Sequence, residues 1–405
     1  MGGVGDTQNE GYGLSPQNWP YSVGRNTRPP LEWNPMVIGV PKEIKREEYR
    51  VAMTPAGVRE LTRHGHRVIV QRTAGMGAGI TDEDYAGAGA ELVDSIEEVY
   101  ERAEMIVKVK EPQPEEFPLL REGQVLFTYL HLAADENLTK ALIERKIVGI
   151  AYETVETDDG FLPLLAPMSE IAGKMAPQEG AKYLEKPFGG IGVLLGGVPG
   201  VPPAKVVVIG AGSVGMSATM VAAGMGADVT LMDINVQKMR LAEEIIPANV
   251  KTLFSTEYTL REAVKNADLV IGAVLRPGAR APRLLTKDIL ANMKEGAVLV
   301  DVSIDQGGIS EFSRPTTHDN PVFVAEGVVH YCVANMPGAV PRTSTFALTN
   351  STLSYVIKLA DLGWKEAVKS DRALARGVNL VAGKVTYRAV AEAFGLEYTP
   401  LEEVL

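Results

Sequence analysis

The sequence predicts an α/β protein made of two doubly wound, mostly parallel-sheet domains, the second a Rossmann-type unit inserted into a discontinuous first. Three observations predict it. A chain of 405 residues exceeds what one ordinary hydrophobic core holds, so two domains are expected. From Met36 onward short apolar runs alternate with amphipathic stretches, the signature of strands joined by covering helices. That alternation breaks near Ala166, restarts at Lys205 and gives way to helical patterning from about Pro337.

Residues 37–40 read as the opening strand. Thr54-Pro55 is an N-cap followed by proline at the first helical position, and starts a helix predicted to end near His64. Further strands are predicted at 67–71, 105–110, 125–129 and 148–152. Side chains alternate along a strand, so Lys108 and Lys110 are expected on one side. A long helix is predicted from Ala166 to about Leu184, followed by the Gly- and Pro-rich segment 189–203. The second run places strands at 205–209, 228–232, 251–254, 268–273, 297–301 and 321–324, short and apolar as strands covered on both faces are. After Pro337 the pattern is helical, longest at 349–362.

The predicted domains are therefore 36–163 together with 337–405, and 164–336 inserted between them. Residues 1–35, rich in Gly, Asn and Pro, read as a flexible tail, an arm on a neighbour, or an extension ahead of a second start at Met36. Trp19, Tyr21 and Trp33 suit the arm.

Composition narrows the partners. A net charge of −11 argues against nucleic acid and anionic membrane, both polyanions. The single cysteine, Cys332, rules out an intramolecular disulfide and fits a reducing, cytoplasmic setting. No apolar run approaches the roughly 20 residues that span a bilayer. The first residues lack the basic start and apolar stretch of a secretory signal. No residue spacing suits a metal, so metal-free chemistry is expected.

The strongest motif is Gly210-Ala211-Gly212-Ser213-Val214-Gly215. A lone GxGxxG is weak, but this one follows the strand at 205–209, opens a helical stretch at Ser213 and precedes an acid, Asp233, at the end of the next strand. Gly210 permits the turn, Gly212 lets a pyrophosphate approach the backbone, and Gly215 lets helix and strand pack closely. The helix N-terminus offers free N–H groups to phosphate. Asp233 can accept from both hydroxyls of an adenosine ribose and would repel a 2′-phosphate, which favours NAD over NADP.

Periodicity does not account for several other segments: Gly39-Val40-Pro41-Lys42-Glu43, Arg50-Val51-Ala52-Met53-Thr54-Pro55, Lys108-Val109-Lys110-Glu111-Pro112, His131-Leu132-Ala133-Ala134, Ala166-Pro167-Met168-Ser169-Glu170, Asp305-Gln306-Gly307-Gly308 and Val333-Ala334-Asn335-Met336-Pro337. Together, over 36–405, they closely resemble bacterial alanine dehydrogenases. The resemblance implies reversible oxidative deamination of L-alanine with NAD to pyruvate, ammonium and NADH, and it implies a homohexamer.

It also implies site roles. Arg50, whose planar fork matches two oxygens, is expected to hold the substrate carboxylate. Lys110, at a strand end, is expected on the carboxylate or carbonyl oxygen, where a cation stabilises developing charge. His131 and Asp305 are expected to exchange protons with the amine, the carbinolamine or the attacking water. Imidazole titrates nearest neutrality of the ordinary side chains. Which of the two moves each proton stays open. Arg50, Lys110 and His131 come from one predicted domain and Asp305 from the other, so an interdomain cleft is implied. Ser169, Ser255, Val274, Leu275, Val333, Ala334, Asn335 and Met336 match dinucleotide-lining positions, and Lys238 is assigned near the ribose. His64, His66 and His318 read as structural or exposed, and His330 has no assigned role.

Three other readings compete. A nucleotide-binding transhydrogenase component shares fold and motifs but would lack the substrate histidine and carry glutamine at the position of Asp305. A dehydrogenase for another amino acid differs in side-chain pockets that motifs do not reveal. A catalytically silent NAD-sensing protein has no chemical reason to keep Arg50, Lys110, His131 and Asp305 together.

Overall fold

The computed structural model describes residues 35–274 and 280–405. The tail reading for 1–34 and the assignment of Leu275, with its neighbours Arg276, Pro277 and Gly278, lie outside the described residues.

Among the described residues fifteen strands form two sheets. In chain order they are β1 (Val37–Val40), β2 (Arg67–Gln71), β3 (Glu91–Val93), β4 (Met105–Val107), β5 (Val125–Thr128), β6 (Val148–Ala151), β7 (Lys205–Ile209) and β8 (Asp228–Asp233). They continue with β9 (Val250–Phe254), β10 (Leu269–Gly272), β11 (Val298–Asp301), β12 (Val322–Ala325), β13 (Val328–Tyr331), β14 (Val378–Val381) and β15 (Lys384–Val385). The first sheet has the order β15-β14-β6-β5-β4-β1-β2-β3, and the second β12-β13-β11-β10-β7-β8-β9. Each contains the doubly wound progression in which strand order reverses beside its first strand. Crevices therefore open between β1 and β4, and between β7 and β10, at the carboxyl ends where ligands bind in such sheets.

Burial follows topology. Every residue of β5, β6, β10, β11 and β13 is buried, because helices cover both faces. The edge strands β9 and β12 are only partly covered. The helix at Pro55–Arg63 (α1) starts as expected, with the Thr54 hydroxyl accepting from the Gly57 N–H. Two long helices connect the sheets. The helix at Ala166–Tyr183 (α2) leads from the first sheet to the second and packs on the helix at Ser213–Gly224 (α3). The return is the helix at Pro341–Ser370 (α4), interrupted at Gly363, whose φ of 69° and ψ of 153° are not helical.

Several expectations need correction. The strand expected at 105–110 stops at Val107, and the segment beyond it bends away from the period-two pattern. The strand near 321–324 pairs antiparallel with β13 at the sheet edge and is only partly covered, where burial on both faces was expected. The C-terminal stretch is not wholly helical. Its β14 pairs antiparallel with β6 and β15 antiparallel with β14, so the end of the chain extends the first sheet. Those four- and two-residue strands lie between helices and are too short to leave a periodic signal.

Candidate active site

The glycine loop sits at the carboxyl end of β7. Gly210 has a φ of +108°, a region L side chains rarely enter. A Cβ on Gly215 would fall 1.7 Å from the Gly210 carbonyl oxygen, so helix α3 approaches β7 as closely as backbone permits. At Gly212, by contrast, a Cβ would meet nothing within 4 Å, and no side chain caps the start of α3 there. An open concavity facing uncapped N–H groups is the cradle a pyrophosphate needs. Asp233 completes it: Oδ2 accepts from the Ala211 N–H at 2.7 Å and Oδ1 from the Asn235 N–H at 2.7 Å. These features fit a dinucleotide.

Other assigned lining residues take different places. Ser213 is exposed and Val214 half-buried at the start of α3. Ser169 is half-buried in the first turns of α2. The Ser255 N–H donates to the Asp233 carbonyl at 3.0 Å, which seats it beside the acid. Lys238 is exposed, and its amide is held by Asn235. Val274 follows β10, its N–H donating to Ser303 Oγ at 2.9 Å. Val333 and Met336 are buried beyond β13, with Ala334 and Asn335 half-buried between them.

The second half of the site is built at the carboxyl ends of the first sheet. Arg50, in the segment between β1 and α1, is only 2% exposed. Its Nε donates to Glu48 Oε1 at 2.6 Å and its Nη2 to Glu48 Oε2 at 2.5 Å. Nη2 also donates to Asn335 Oδ1 at 2.7 Å, and Asn335 Nδ2 donates to Glu48 Oε2 at 3.1 Å. Nη1 meets the Met168 sulfur at 3.1 Å. Burial works against Glu48 as a carboxylate, but the Arg50 and Asn335 bonds prevail and bring it down to about 2. Burial likewise opposes the Arg50 charge, and Glu48 outweighs it, holding the guanidinium above its ordinary value.

Lys110 is half-buried beside this pair. Burial first, then the Arg50 and Lys45 charges, push its ammonium down, while Glu111 and Asp305 oppose the shift. Glu111 is ion-paired with Lys45, and its Oε2 is buried without a partner. Burial raises Glu111, but Lys110, Lys45 and His131 together hold it below the usual carboxylate value. Asp305 is exposed and lies in the 3-10 turn Val302–Gln306 after β11. Beneath that turn, buried Asp301 accepts from the Ile309 N–H at 2.8 Å and from Ser313.

His131 follows β5 with a φ of 50°. Its N–H donates to Glu153 Oε1 at 2.6 Å, and its Nδ1 lies 3.4 Å from the same oxygen. The charges of Arg50 and Asp305 both act on the Lys110 ammonium. His131 reaches them through the charges of Glu111 rather than by a hydrogen bond.

Lys108 does not share the site. It is fully buried between Glu43 and Glu116, because β4 has ended before it. His330 is buried against Ser310 and stacked on Phe323, and burial pushes its imidazole down. His318 stands close to the site, with Nε2 3.3 Å from the Asn335 carbonyl oxygen. Sequence reasoning missed Glu48, Glu111 and Glu153. Glu153, an acid just past a buried strand, carried the same strand-end signal that marked Lys110. Among the described residues no group of three or more His, Cys, Asp or Glu is arranged to hold a metal ion.

Comparison with known proteins places this geometry. The family model "Alanine dehydrogenase/PNT, N-terminal domain" matches residues 39–172, and "Alanine dehydrogenase/PNT, C-terminal domain" matches 176–388. The alanine dehydrogenase of Methanococcus maripaludis is 56% identical over 371 residues, covering 91% of this chain and 100% of that protein. That of Halomonas elongata is 58% identical over 363 residues, covering 90% and 98%. A solved L-alanine dehydrogenase superposes with a TM-score of 0.86 at 50% identity, covering 89% of this chain and 99% of that one. A transhydrogenase from Sinorhizobium meliloti shares the fold, with a TM-score of 0.73 at 24% identity over 87% of this chain and 99% of that one.

Proposed function

The chain belongs to the alanine dehydrogenase/PNT family, and from that premise we propose how its residues carry out NAD-dependent, reversible oxidative deamination of L-alanine. One observation carries the reading. The Arg50 guanidinium, locked by Glu48 from its own segment, reaches across to Asn335 beyond the second sheet, beside Lys110 and Asp305. A fixed guanidinium with a second cation beside it, where the carboxyl ends of the two sheets meet, suits a small carboxylate next to a dinucleotide.

In the oxidative direction L-alanine, NAD and water give pyruvate, ammonium, NADH and a proton. Arg50 and Lys110 hold the carboxylate and the oxygen of the keto product. Lys110 faces the charge that grows on that oxygen, and its depressed ammonium donates a hydrogen bond readily. His131 and Asp305 accept the amine proton and the proton of the attacking water, and return one as the carbinolamine collapses. Glu153 fixes the backbone of His131 and lies beside its ring. The glycine loop and Asp233 would hold the dinucleotide, with Ser169, Ser255, Lys238, Val274 and residues 333–336 along it. When bound there, the cofactor accepts the substrate hydride.

On this reading residues 164–336 form the NAD-binding domain, and 36–163 with 337–405 the substrate domain. The chain works as a cytoplasmic homohexamer. Among the described residues no helix is long and apolar enough to cross a membrane.

The test is a substrate panel read by NADH absorbance: L-alanine, L-serine, L-lysine and glycine, each with NAD and NADP. Turnover of alanine with NAD is expected. Silence with alanine, or hydride exchange between nucleotide analogues instead, would overturn the proposal.

A further inference from the structure

The charges buried beneath Lys110 have no part in the reaction as written. Lys108 Nζ lies 3.0 Å from Glu43 Oε2 and 2.8 Å from Glu116 Oε1, all three side chains being at most 3% exposed. Tyr100 donates its hydroxyl to Glu116 Oε1 at 2.8 Å. Replacing such a buried ion cluster by apolar side chains commonly costs no stability, so stability is a weak reason for it.

Its hydrogen bonds point to another role. Strand β4 ends at Val107, and past that point the backbone must find other partners. The Val109 carbonyl takes the Tyr129 N–H at 3.4 Å, and the Lys110 carbonyl takes the Thr128 hydroxyl at 3.0 Å. The two amides turn the other way. Val109 N–H donates to Glu43 Oε1 at 2.6 Å and Lys110 N–H to the same oxygen at 3.3 Å. Glu116 Oε2 accepts the Gln113 N–H at 2.7 Å, closing the far end of the turn.

We propose that Glu43 is a positioning residue for the substrate cation Lys110: one carboxylate oxygen holds the two backbone amides that aim the side chain, and the other is anchored by Lys108. This rests on the assignment of Lys110 to the substrate. Glu43 follows β1 while Lys110 follows β4, so the carboxylate ties together the two sides of the crevice in which Arg50 also lies. Ångström-scale misplacement of such a group weakens its hold on the substrate and costs rate.

The experiment is steady-state kinetics on the full-length enzyme in the reductive direction, comparing Glu43→Gln, Glu43→Asp and Lys110→Met. Glu43→Gln keeps the shape but weakens both amide bonds, and should raise KM for pyruvate about tenfold while KM for NADH stays within about twofold. Glu43→Asp restores charge but is a methylene too short, and should not rescue. Wild-type KM for pyruvate in Glu43→Gln, or full rescue by Asp, would overturn the proposal. Lys110→Met separates the two ideas: normal kinetics there sinks the role of Lys110 itself, whereas a defect there with normal Glu43→Gln sinks only the clamp. Should the Glu43 variants not fold, hydrogen exchange on the wild type decides. The Val109 and Lys110 amides should be protected like those of β4, and exchange at loop rates would refute the clamp.

Discussion

Arg50 and Asn335 stand 285 residues apart in the chain, yet Nη2 of the arginine donates to Oδ1 of the asparagine at 2.7 Å. Glu48 closes the triangle by accepting from both. The guanidinium assigned to the substrate carboxylate is therefore oriented by groups from both sheets, and its position depends on how the two meet.

Asn335→Gly tests that dependence. Asn335 has a φ of 64°, which glycine tolerates, so the change removes the amide without adding strain. A hydrogen bond to a charged group contributes about 1.5–3 kcal/mol, so KM for pyruvate should rise roughly tenfold or more. NADH affinity, measured by fluorescence titration on the same variant, separates this role from a place along the cofactor: a loss there with an unchanged KM for pyruvate would assign Asn335 to the dinucleotide alone. An unaltered KM for pyruvate would show that Arg50 does not need this partner.

The Glu48–Arg50 pair makes a stability prediction. Glu48 is held at about 2 in the folded protein, against about 4.3 for an unfolded glutamate. A depressed carboxyl stabilises the fold above the unfolded value, and the contribution fades as pH falls from about 4.3 through about 2. Its size at neutral pH is on the order of 3 kcal/mol. Glu48→Gln, which leaves Arg50 buried without its counter-ion, should lower denaturant stability at pH 7 by a similar amount. The gap between wild type and variant should narrow below about pH 4. A gap independent of pH would remove the ion pair as its cause.

Much of this was legible in the sequence because it rests on local chemistry. The glycine loop, Thr54-Pro55 and the buried strands each carry their signal within a few residues. The partners of the site residues do not. Glu48 lies two positions from Arg50, but nothing in that spacing says its carboxylate turns back on the guanidinium. Asn335 was assigned to the cofactor side, and only the fold shows it bonding Arg50. Lys108 and Lys110 looked alike in sequence, and the end of β4 at Val107 is what separates the fully buried Lys108 from the half-buried Lys110 proposed for the substrate.

His131 and Glu153 form a pair at adjacent strand ends. His131→Ala should nearly abolish turnover while NADH binding stays close to normal. Glu153→Gln retains an acceptor for the His131 N–H but alters the contact with its ring, so it should lower kcat without abolishing activity. Lost NADH binding in His131→Ala would mean the residue serves the cofactor instead.

Asp233 holds the glycine loop through Ala211, and on the proposed reading it would also accept from a ribose. Asp233→Ala should weaken NADH affinity and lower the melting temperature together, because both backbone bonds are lost. Unchanged NADH affinity would strip the residue of its role, and a large gain in NADPH turnover would show that its charge alone sets cofactor choice.

The second and third glycines of the loop should fail in different ways. At Gly215 a methyl would collide with the Gly210 carbonyl at 1.7 Å, so Gly215→Ala must push α3 off β7. It should cost both stability and NADH binding. At Gly212 a methyl meets nothing within 4 Å of protein, so Gly212→Ala should melt at the wild-type temperature. The space it fills is the space a pyrophosphate would occupy, so NADH affinity should still fall by about tenfold or more. Differential scanning fluorimetry and NADH titration on the same preparations separate these outcomes. A Gly212→Ala protein that binds NADH normally would place the phosphates elsewhere, and would undo the reading of the loop as a dinucleotide cradle.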